Sequence, residues 1–579
     1  MDDGARPTLT DTSASGSFRG ARRSGQGRLA AKGRWLLAAY AVSGLAALIY
    51  EVAWMRELGQ TLGSTAYASG TMLAAFMTGL GIGSLLGGRL ATRTPHPLRT
   101  AARAELAVGV TSIAALLALR FGPGVFFDLL GSARVSAATF LALQFAAAFA
   151  VMLLPTVAMG ATYPLIMEAV GKRSRFGLWS GLLYTANTAG AIAGSLLAGF
   201  VLIPLLGVNG ALLVAGATSF AVAALLSALA VEAEGARSFW RSPEPIVAIA
   251  ALLAVAVVPA APSIPLGVTM LDRLASSSEH SRLTSSVQVL YDDDGVYSHV
   301  SVLQYPTGLR VLRNGALIEG ANSAMDRRTT ALLAALPAAS AAATSSSMVV
   351  GLGTGYTSAA MLHLGGERVE TVEINPAVRD AAALFAGVQL ASDPRWSLVI
   401  DDARARLLTS PDRFDVITSE PSWPLSAGVA PLFTREFMVA ARSRLTEGGV
   451  FCQWLPNYLL RPDDVRMMYK TMRSVFPRVD AWAIIGPDGS ERELALIGFD
   501  RAGTASQESL FERADAVTGS IGLPPDAYEI YSGAAGLETA VSDAAVPLNT
   551  DDHSLLEYRV LWNLLEARPA SATAEVSAP

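Results

Sequence analysis

Cysteine is nearly absent. The 579-residue chain has one, Cys452, which rules out a disulfide within the chain and any site built from several thiolates. Histidine is scarce as well. The five residues, His96, His280, His299, His363 and His553, are scattered without metal-ligand spacing, so no metal site is expected. Charged residues make up only 16% of the chain, against about a quarter in ordinary soluble proteins. The net charge of −5 lacks the basic excess that nucleic acid attracts, and no nucleic-acid partner is expected. The shortage of charge is local. Residues 35–265 hold nearly all the long apolar runs, whereas residues from about 280 onward have an ordinary soluble composition. The chain therefore divides into a multi-pass α-helical membrane domain and a globular part.

Seven apolar segments approach the roughly 20 residues that a bilayer crossing needs. They lie at 35–55, 65–90, 101–121, 138–160, 178–205, 208–231 and 245–263. A polar, basic stretch (1–34) precedes them and is expected to be disordered, as is the Ala-, Ser- and Pro-rich tail at 567–579. Basic residues cluster before the first segment (Arg19, Arg22, Arg23, Arg28, Lys32, Arg34), between the second and third (Arg89, Arg93, Arg99, Arg103), and between the fourth and fifth (Lys172, Arg173, Arg175). All three clusters fall on one side, which predicts a cytoplasmic N-terminus in a cell-membrane protein. Seven crossings would put the globular part on the other side. Gly79, Gly83 and Gly87 repeat every four residues, as do Gly190 and Gly194, a spacing that lets helices approach closely. Glu51, Arg56 and Asn187 are the polar residues that stand out in or near the segments.

The globular part begins with short β-like runs at 285–320, separated by Gly and Asp turns, which predict a small antiparallel β domain over 280–325. A helix is predicted over 326–336, ending at Pro337, followed by a linker to Ser347. Strands and helices then alternate through a domain spanning 326–566. SMVVGLGTG, VETVEINP, WSLVIDDAR, FDVITSEP and GGVFCQWLP read as strands with their turns, and AWAIIG and ELALIGF as a closing hairpin. Alternation of this kind implies a parallel, Rossmann-like sheet with ligands at the carboxyl ends of the strands.

Those ends carry the candidate chemistry. The first strand runs into Gly351, Leu352, Gly353, Thr354 and Gly355, a turn that lets backbone approach a ligand. Tyr356 occupies the place of a third fingerprint glycine, which favours a nucleoside over a dinucleotide. The second strand ends at Glu373, suited to two ribose hydroxyls, and the third at Asp401 and Asp402, suited to an adenine amine. Glycine turn and acids in this order predict an adenosine site of the class I S-adenosylmethionine type. At the fourth strand, FDVITSEPSWP puts Glu420 where a buried strand ends, against Pro421 and Trp423. A carboxylate there costs desolvation unless something uses it.

The chain resembles the spermidine synthase (polyamine aminopropyltransferase) family, specifically its membrane-fused members. The membrane half is similar in SGLAALIYEVAWMRELG and NTAGAIAGSLLAGFVLIPLLG. The soluble half is similar in VVGLGTG, TVEINPAV, SEPS, GVAPLFTREF and LNTDDHSLLEYR, with LFTREF the more specific motif. The resemblance implies transfer of an aminopropyl group from decarboxylated S-adenosylmethionine to a putrescine-like diamine, releasing methylthioadenosine. It implies Glu420 as the base, where the family carries an aspartate, and a loop from Pro421 to Ala430 that closes over the site. Trp423 is expected to pack on an alkyl chain or cation, and Tyr297 to contribute to the amine pocket. The chain departs from the family at three places. Trp423 stands where soluble synthases have a second aspartate, and Thr354 where they have an acid that helps hold the donor's amine. The region before Pro337 lacks their tyrosine and glutamate.

Two other readings of these residues are an S-adenosylmethionine-dependent methyltransferase and a noncatalytic membrane protein that binds a nucleoside or polyamine. Expected partners are a small diamine and the lipid bilayer, with a homodimer as a candidate assembly. Asp551 and Asp552 are expected to cap a helix starting near Ser554.

Overall fold

The computed structural model describes residues 14–62, 66–130, 137–170, 176–234, 246–247, 249, 287–294, 297–315, 317–385, 390–426, 428–486, 489–502, 507–524 and 526–566. They fall into a helical unit and a unit that holds both sheets.

The helical part comprises α1 (Ala14–Leu62), α2 (Ala66–Ala91), α3 (Pro97–Leu130), α4 (Ala137–Val170), α5 (Phe176–Leu197) and α6 (Ile203–Glu234). Among the described residues, five stretches are long and apolar enough to cross a membrane: Gly33–Leu58, Ser69–Ala91, Pro97–Ala118, Phe149–Val170 and Phe176–Val231. The last holds 56 residues, about 84 Å of helix at ~1.5 Å per residue, more than twice a ~30 Å hydrocarbon core. It is interrupted at Gly207 (φ 69°, ψ 174°), between the two segments read there from sequence. The seventh expected segment, 245–263, lies almost wholly outside the described residues, as do 1–13 and the tail 567–579. The helix α1 starts at Ala14, so residues 14–34 are helical where the sequence predicts disorder. That stretch contains no proline, and extending an existing helix costs far less than nucleating one.

The repeating glycines lie where helices touch. A Cβ at Gly83 would strike the Val157 carbonyl, and one at Gly87 would lie 2.5 Å from Ala161 Cα, both on α4. Gly190 and Gly194 press the same way on the Ala41 and Leu45 carbonyls of α1, and Asn187 packs against Gly44. Asn187 is thus part of a helix contact. The buried acid of this unit is one the sequence reading passed over. Glu105 on α3 is 2% exposed and accepts a 2.5 Å hydrogen bond from Ser43 Oγ of α1.

In the other unit, β1 (Gln288–Asp294), β2 (His299–Gln304), β3 (Arg310–Asn314) and β4 (Leu317–Ala321) form an antiparallel sheet in chain order. Then α7 (Ala324–Ser340) begins at Ser323, whose Oγ accepts from the Asp326 N–H at 3.1 Å. It runs through Pro337, the predicted stop. Proline removes the N–H that would bond Leu333 O. The Thr418 hydroxyl donates to that carbonyl at 3.1 Å instead, so the helix continues to Ser340.

The larger sheet holds β5 (Ser346–Val350), β6 (Arg368–Glu373), β7 (Trp396–Ile400), β8 (Phe414–Ser419), β9 (Leu445–Leu455), β10 (Arg478–Ile485), β11 (Glu491–Phe499) and β12 (Tyr528–Ile530). Their order is β12-β10-β11-β9-β8-β5-β6-β7, with β5 to β9 parallel and the β10–β11 hairpin antiparallel. Side chains alternate between two cores. Val349, Val416, Val450 and Cys452 enter one, and Met348, Val350, Ile417 and Phe451 the other. Helices cover both faces, which explains why these strands read as continuous apolar runs. The chain leaves β5 for β6 on one side and returns as β8 on the other. The crevice between β5 and β8 is therefore the topological switch point where such sheets bind ligands.

Candidate active site

A cavity of about 480 Å³ opens at that switch point. Its floor is the turn after β5. Gly351 has φ +90°, and a Cβ there would lie 2.7 Å from the Glu420 carbonyl oxygen. Only glycine allows that backbone shape and that approach together. Gly353 (φ +49°) and Gly355 (φ +81°) complete the turn, and Gly355 opens the helix α8 (Tyr356–His363). Gly351, Gly353 and Thr354 line the cavity, whereas Gly355, expected to bind there too, is not part of its wall.

Glu373, at the end of β6, is 9% exposed. Its Oε2 accepts from Leu352 N–H at 3.0 Å and its Oε1 from Asn375 N–H at 2.9 Å. Two backbone donors thus aim the carboxylate, and each oxygen keeps a second lone pair for a ligand hydroxyl. Burial pushes its pKa upward. Beyond β7, Asp401 and Asp402 line the rim and are exposed. Asp402 Oδ1 accepts from Ala405 N–H at 2.7 Å, capping the helix Ala403–Thr409.

Glu420 follows β8. Its Oε2 accepts a 2.6 Å hydrogen bond from Thr357 Oγ1 on α8, and its backbone N–H bonds Val350 O at 3.1 Å. Burial, reinforced by the charges of Glu493 and Asp326, pushes its carboxyl up to about 8. A carboxyl poised near neutral pH can gain or lose a proton there, which makes Glu420 a candidate acid–base group. Trp423 lines the same wall, edge-on to Tyr458 with ring centres 6.0 Å apart.

Three further acids enter the cavity that the sequence reading did not identify. Glu319 comes from β4, Asp326 from the first turn of α7, and Glu493 from β11. Glu493 sits beside Thr329 and Trp454, and burial pushes it up to about 7. Glu319 accepts a 2.5 Å bond from Ser422 Oγ and is likewise pushed up to about 7. These acids come from three separate elements, so no local spacing announces them. Tyr297 is a correction. It is 57% exposed at the β1–β2 turn, where Asp294 pairs with His299, and it is not part of the cavity wall. Asp551 also differs from expectation. Its carboxylate pairs with Arg404 and accepts from Thr434 Oγ1 at 2.8 Å. The side chain that caps the following helix is Asn549, which accepts from Leu556 N–H at 3.1 Å and donates to Phe433 O at 3.0 Å. In this way LNTDD is tied to LFTREF.

The raised acids give a pH signature. Each binds its proton more tightly in the folded chain than at its ordinary value near 4.5. The stability this contributes is complete below about 4.5 and is lost as pH rises through about 7 to 8. The unliganded protein should therefore lose melting temperature as the pH rises from 6 to 9. Melting curves across that range would test this, and a flat or rising profile would contradict it. Glu319→Gln, Glu420→Gln and Glu493→Gln together should flatten the slope.

A glycine turn, a backbone-aimed acid on the next strand and a near-neutral carboxylate thus meet at the switch point of a Rossmann-like sheet. A model of the spermine/spermidine synthase domain matches residues 328–494. The polyamine aminopropyltransferase of Corynebacterium efficiens is 25% identical over 525 residues, covering 84% of this chain and 91% of that protein. Polyamine aminopropyltransferase 1 of Pseudomonas aeruginosa is 32% identical over 123 residues, 21% of this chain and 43% of the relative, so the chain spans less than half of that protein. A solved spermidine synthase bound to the transition-state analogue AdoDATO is 18% identical, with a TM-score of 0.35, covering 45% of this chain and 88% of that one. The chain is thus similar to spermidine synthases and polyamine aminopropyltransferases, and the family-model match lies in its C-terminal half.

Proposed function

We propose that this protein is a membrane-anchored aminopropyltransferase that joins an aminopropyl group from decarboxylated S-adenosylmethionine to a putrescine-like diamine. The observation that carries the reading is the convergence of acidic side chains in the cavity. Glu319, Asp326, Glu420 and Glu493 converge beside a nucleoside-type turn and Glu373. That surrounding suits a sulfonium donor and an ammonium acceptor together, and it disfavours a donor that keeps its α-carboxylate. S-adenosylmethionine is such a donor.

In the reaction the acceptor nitrogen bonds the propyl carbon next to sulfur, the carbon–sulfur bond breaks with its electron pair going to sulfur, and methylthioadenosine leaves. The acceptor is an ammonium at neutral pH and has no lone pair to attack with. Glu420 takes its proton. Thr357 holds Oε2 of that carboxylate, so the proton goes to a carboxylate already oriented. Asp326 and Glu493, whose charges act on Glu420, hold the acceptor's cationic end. Trp423 and Tyr458 pack on its methylenes. Glu373 takes the ribose hydroxyls, and Asp401 with Asp402 the adenine edge. The apolar helices keep the enzyme in the cell membrane.

The test is a product assay on the full-length protein in detergent. Decarboxylated or intact S-adenosylmethionine is offered with a panel of diamines, and the released nucleoside is followed. Methylthioadenosine formed only when a diamine is present is the expected result. S-adenosylhomocysteine would instead assign a methyltransferase. Nucleoside binding without either product would assign a binding protein.

A further inference from the structure

Thr354 stands where the resembling synthases carry an acid for the donor's amine, yet the cavity holds an acid beside that position, on a different element. The edge strand β4 passes against the glycine turn. A Cβ at Gly320 would lie 3.0 Å from Thr354 Cγ2. The preceding residue, Glu319, faces the cavity. Its Oε1 accepts from Ser422 Oγ at 2.5 Å, and the Asn314 side chain lies alongside. The cavity acids also differ in their neighbours. Glu493 and Asp326 act on the charge of Glu420, while Glu373 acts on Glu319. Next to Thr354 and under the charge of Glu373, Glu319 borders the glycine turn, and with Asp326 and Glu493 it also acts on Tyr458.

We propose that Glu319 is the anionic subsite for the primary ammonium of the nucleoside donor, carried by the small β-sheet in place of the glycine turn. This rests on the aminopropyl-donor reading above. A donor of that class carries its ammonium on a three-carbon chain attached to the sulfonium, and the ammonium needs an acid close to, but distinct from, the base. Glu319 meets both needs through Ser422, two residues beyond Glu420. A bound donor would pull on Glu319 and, through Ser422, hold the loop that carries Trp423. The same subsite selects against a donor with an intact α-carboxylate, whose charge would lie near Glu319 and Glu373.

The experiment is titration calorimetry on the full-length protein in detergent, with decarboxylated S-adenosylmethionine and methylthioadenosine as separate ligands. The second ligand keeps the nucleoside and lacks the ammonium. Glu319→Gln should weaken the first by roughly tenfold to a hundredfold, the range of one charge-assisted hydrogen bond, and change the second by less than about twofold. Adding Thr354→Asp to Glu319→Gln should recover much of the lost affinity by restoring an acid on the turn. Equal losses for both ligands would reduce Glu319 to a structural role, and unchanged affinity for both would remove it from the site. A wild-type protein that binds methylthioadenosine as tightly as the decarboxylated donor would overturn the aminopropyl-donor reading itself, and the subsite with it.

Discussion

Glu420→Gln is expected to lower kcat by roughly a hundredfold to ten-thousandfold, the usual range for a positioned acid–base group, with methylthioadenosine affinity unchanged. Glutamine keeps the length and shape of the side chain, and its carbonyl oxygen can still accept from Thr357 Oγ1. It cannot take a proton. The wild-type pH profile should carry the same signature. Burial and the neighbouring acids hold the Glu420 carboxyl at about 8 in the free protein. The base is active only when deprotonated, so kcat/KM should rise with pH and level off above about 8. A bound cation favours the carboxylate, so the corresponding inflection in kcat should lie at lower pH. Steady-state rates from pH 6 to 10, with wild type and variant side by side, check both points. A variant retaining most of its turnover would remove Glu420 from the chemistry.

Glu373→Ala should have the largest effect on nucleoside binding and a clear effect on stability. The side chain accepts the Leu352 and Asn375 N–H groups, and both of those bonds are buried. Removing it leaves two buried donors without acceptors, at about 1–3 kcal/mol each. It also loosens the glycine turn, which would keep only the Gly351 N–H bond to Val372 O of the two bonds that tie it to β6. Methylthioadenosine affinity should fall by at least a hundredfold, and the melting temperature by several degrees, about 2–4 °C per kcal/mol for a domain of this size. Glu373→Gln separates the two effects. Its carbonyl can still satisfy one backbone donor, so it should recover part of the stability and little of the affinity. Calorimetric titration and thermal melts on both variants are sufficient. Wild-type affinity in Glu373→Ala would show that the acid serves the turn alone.

The chain's local chemistry fixed a large part of this protein. Long apolar runs can only be buried or placed in lipid, and they mark the helical half in any context. Continuous β-branched runs ending in Gly, Glu or Asp read as strands covered on both faces, so β5 to β9 and the glycines and acids at their ends are legible residue by residue. Gly351 and Gly353 read correctly because positive φ is a property of a single position. The spacing of Gly83, Gly87, Gly190 and Gly194 read correctly because helical periodicity is local. Glu420 stood out because a carboxylate at the end of a buried strand is costly without a use.

Other features depended on residues far apart in the chain. Pro337 ends a helix by local rules, and the helix persists because Thr418, 81 positions later, supplies the missing donor. Asp551 looked like a cap and is instead an ion-pair partner of Arg404, while Asn549 caps the helix and holds Phe433. Tyr297 looked like a pocket aromatic and is exposed, in the turn between Asp294 of β1 and its partner His299 of β2. Glu105 drew no attention within its own helix, since its partner Ser43 lies on another. The acids that make the cavity suited to cations, Glu319, Asp326 and Glu493, come from an edge strand, a helix N-terminus and a hairpin. Sequence determines which groups are present and their local conformation. Which of them share one cavity, and so perturb one another's charge, is decided only when the chain closes, because electrostatic coupling depends on distance in space and not on separation along the chain.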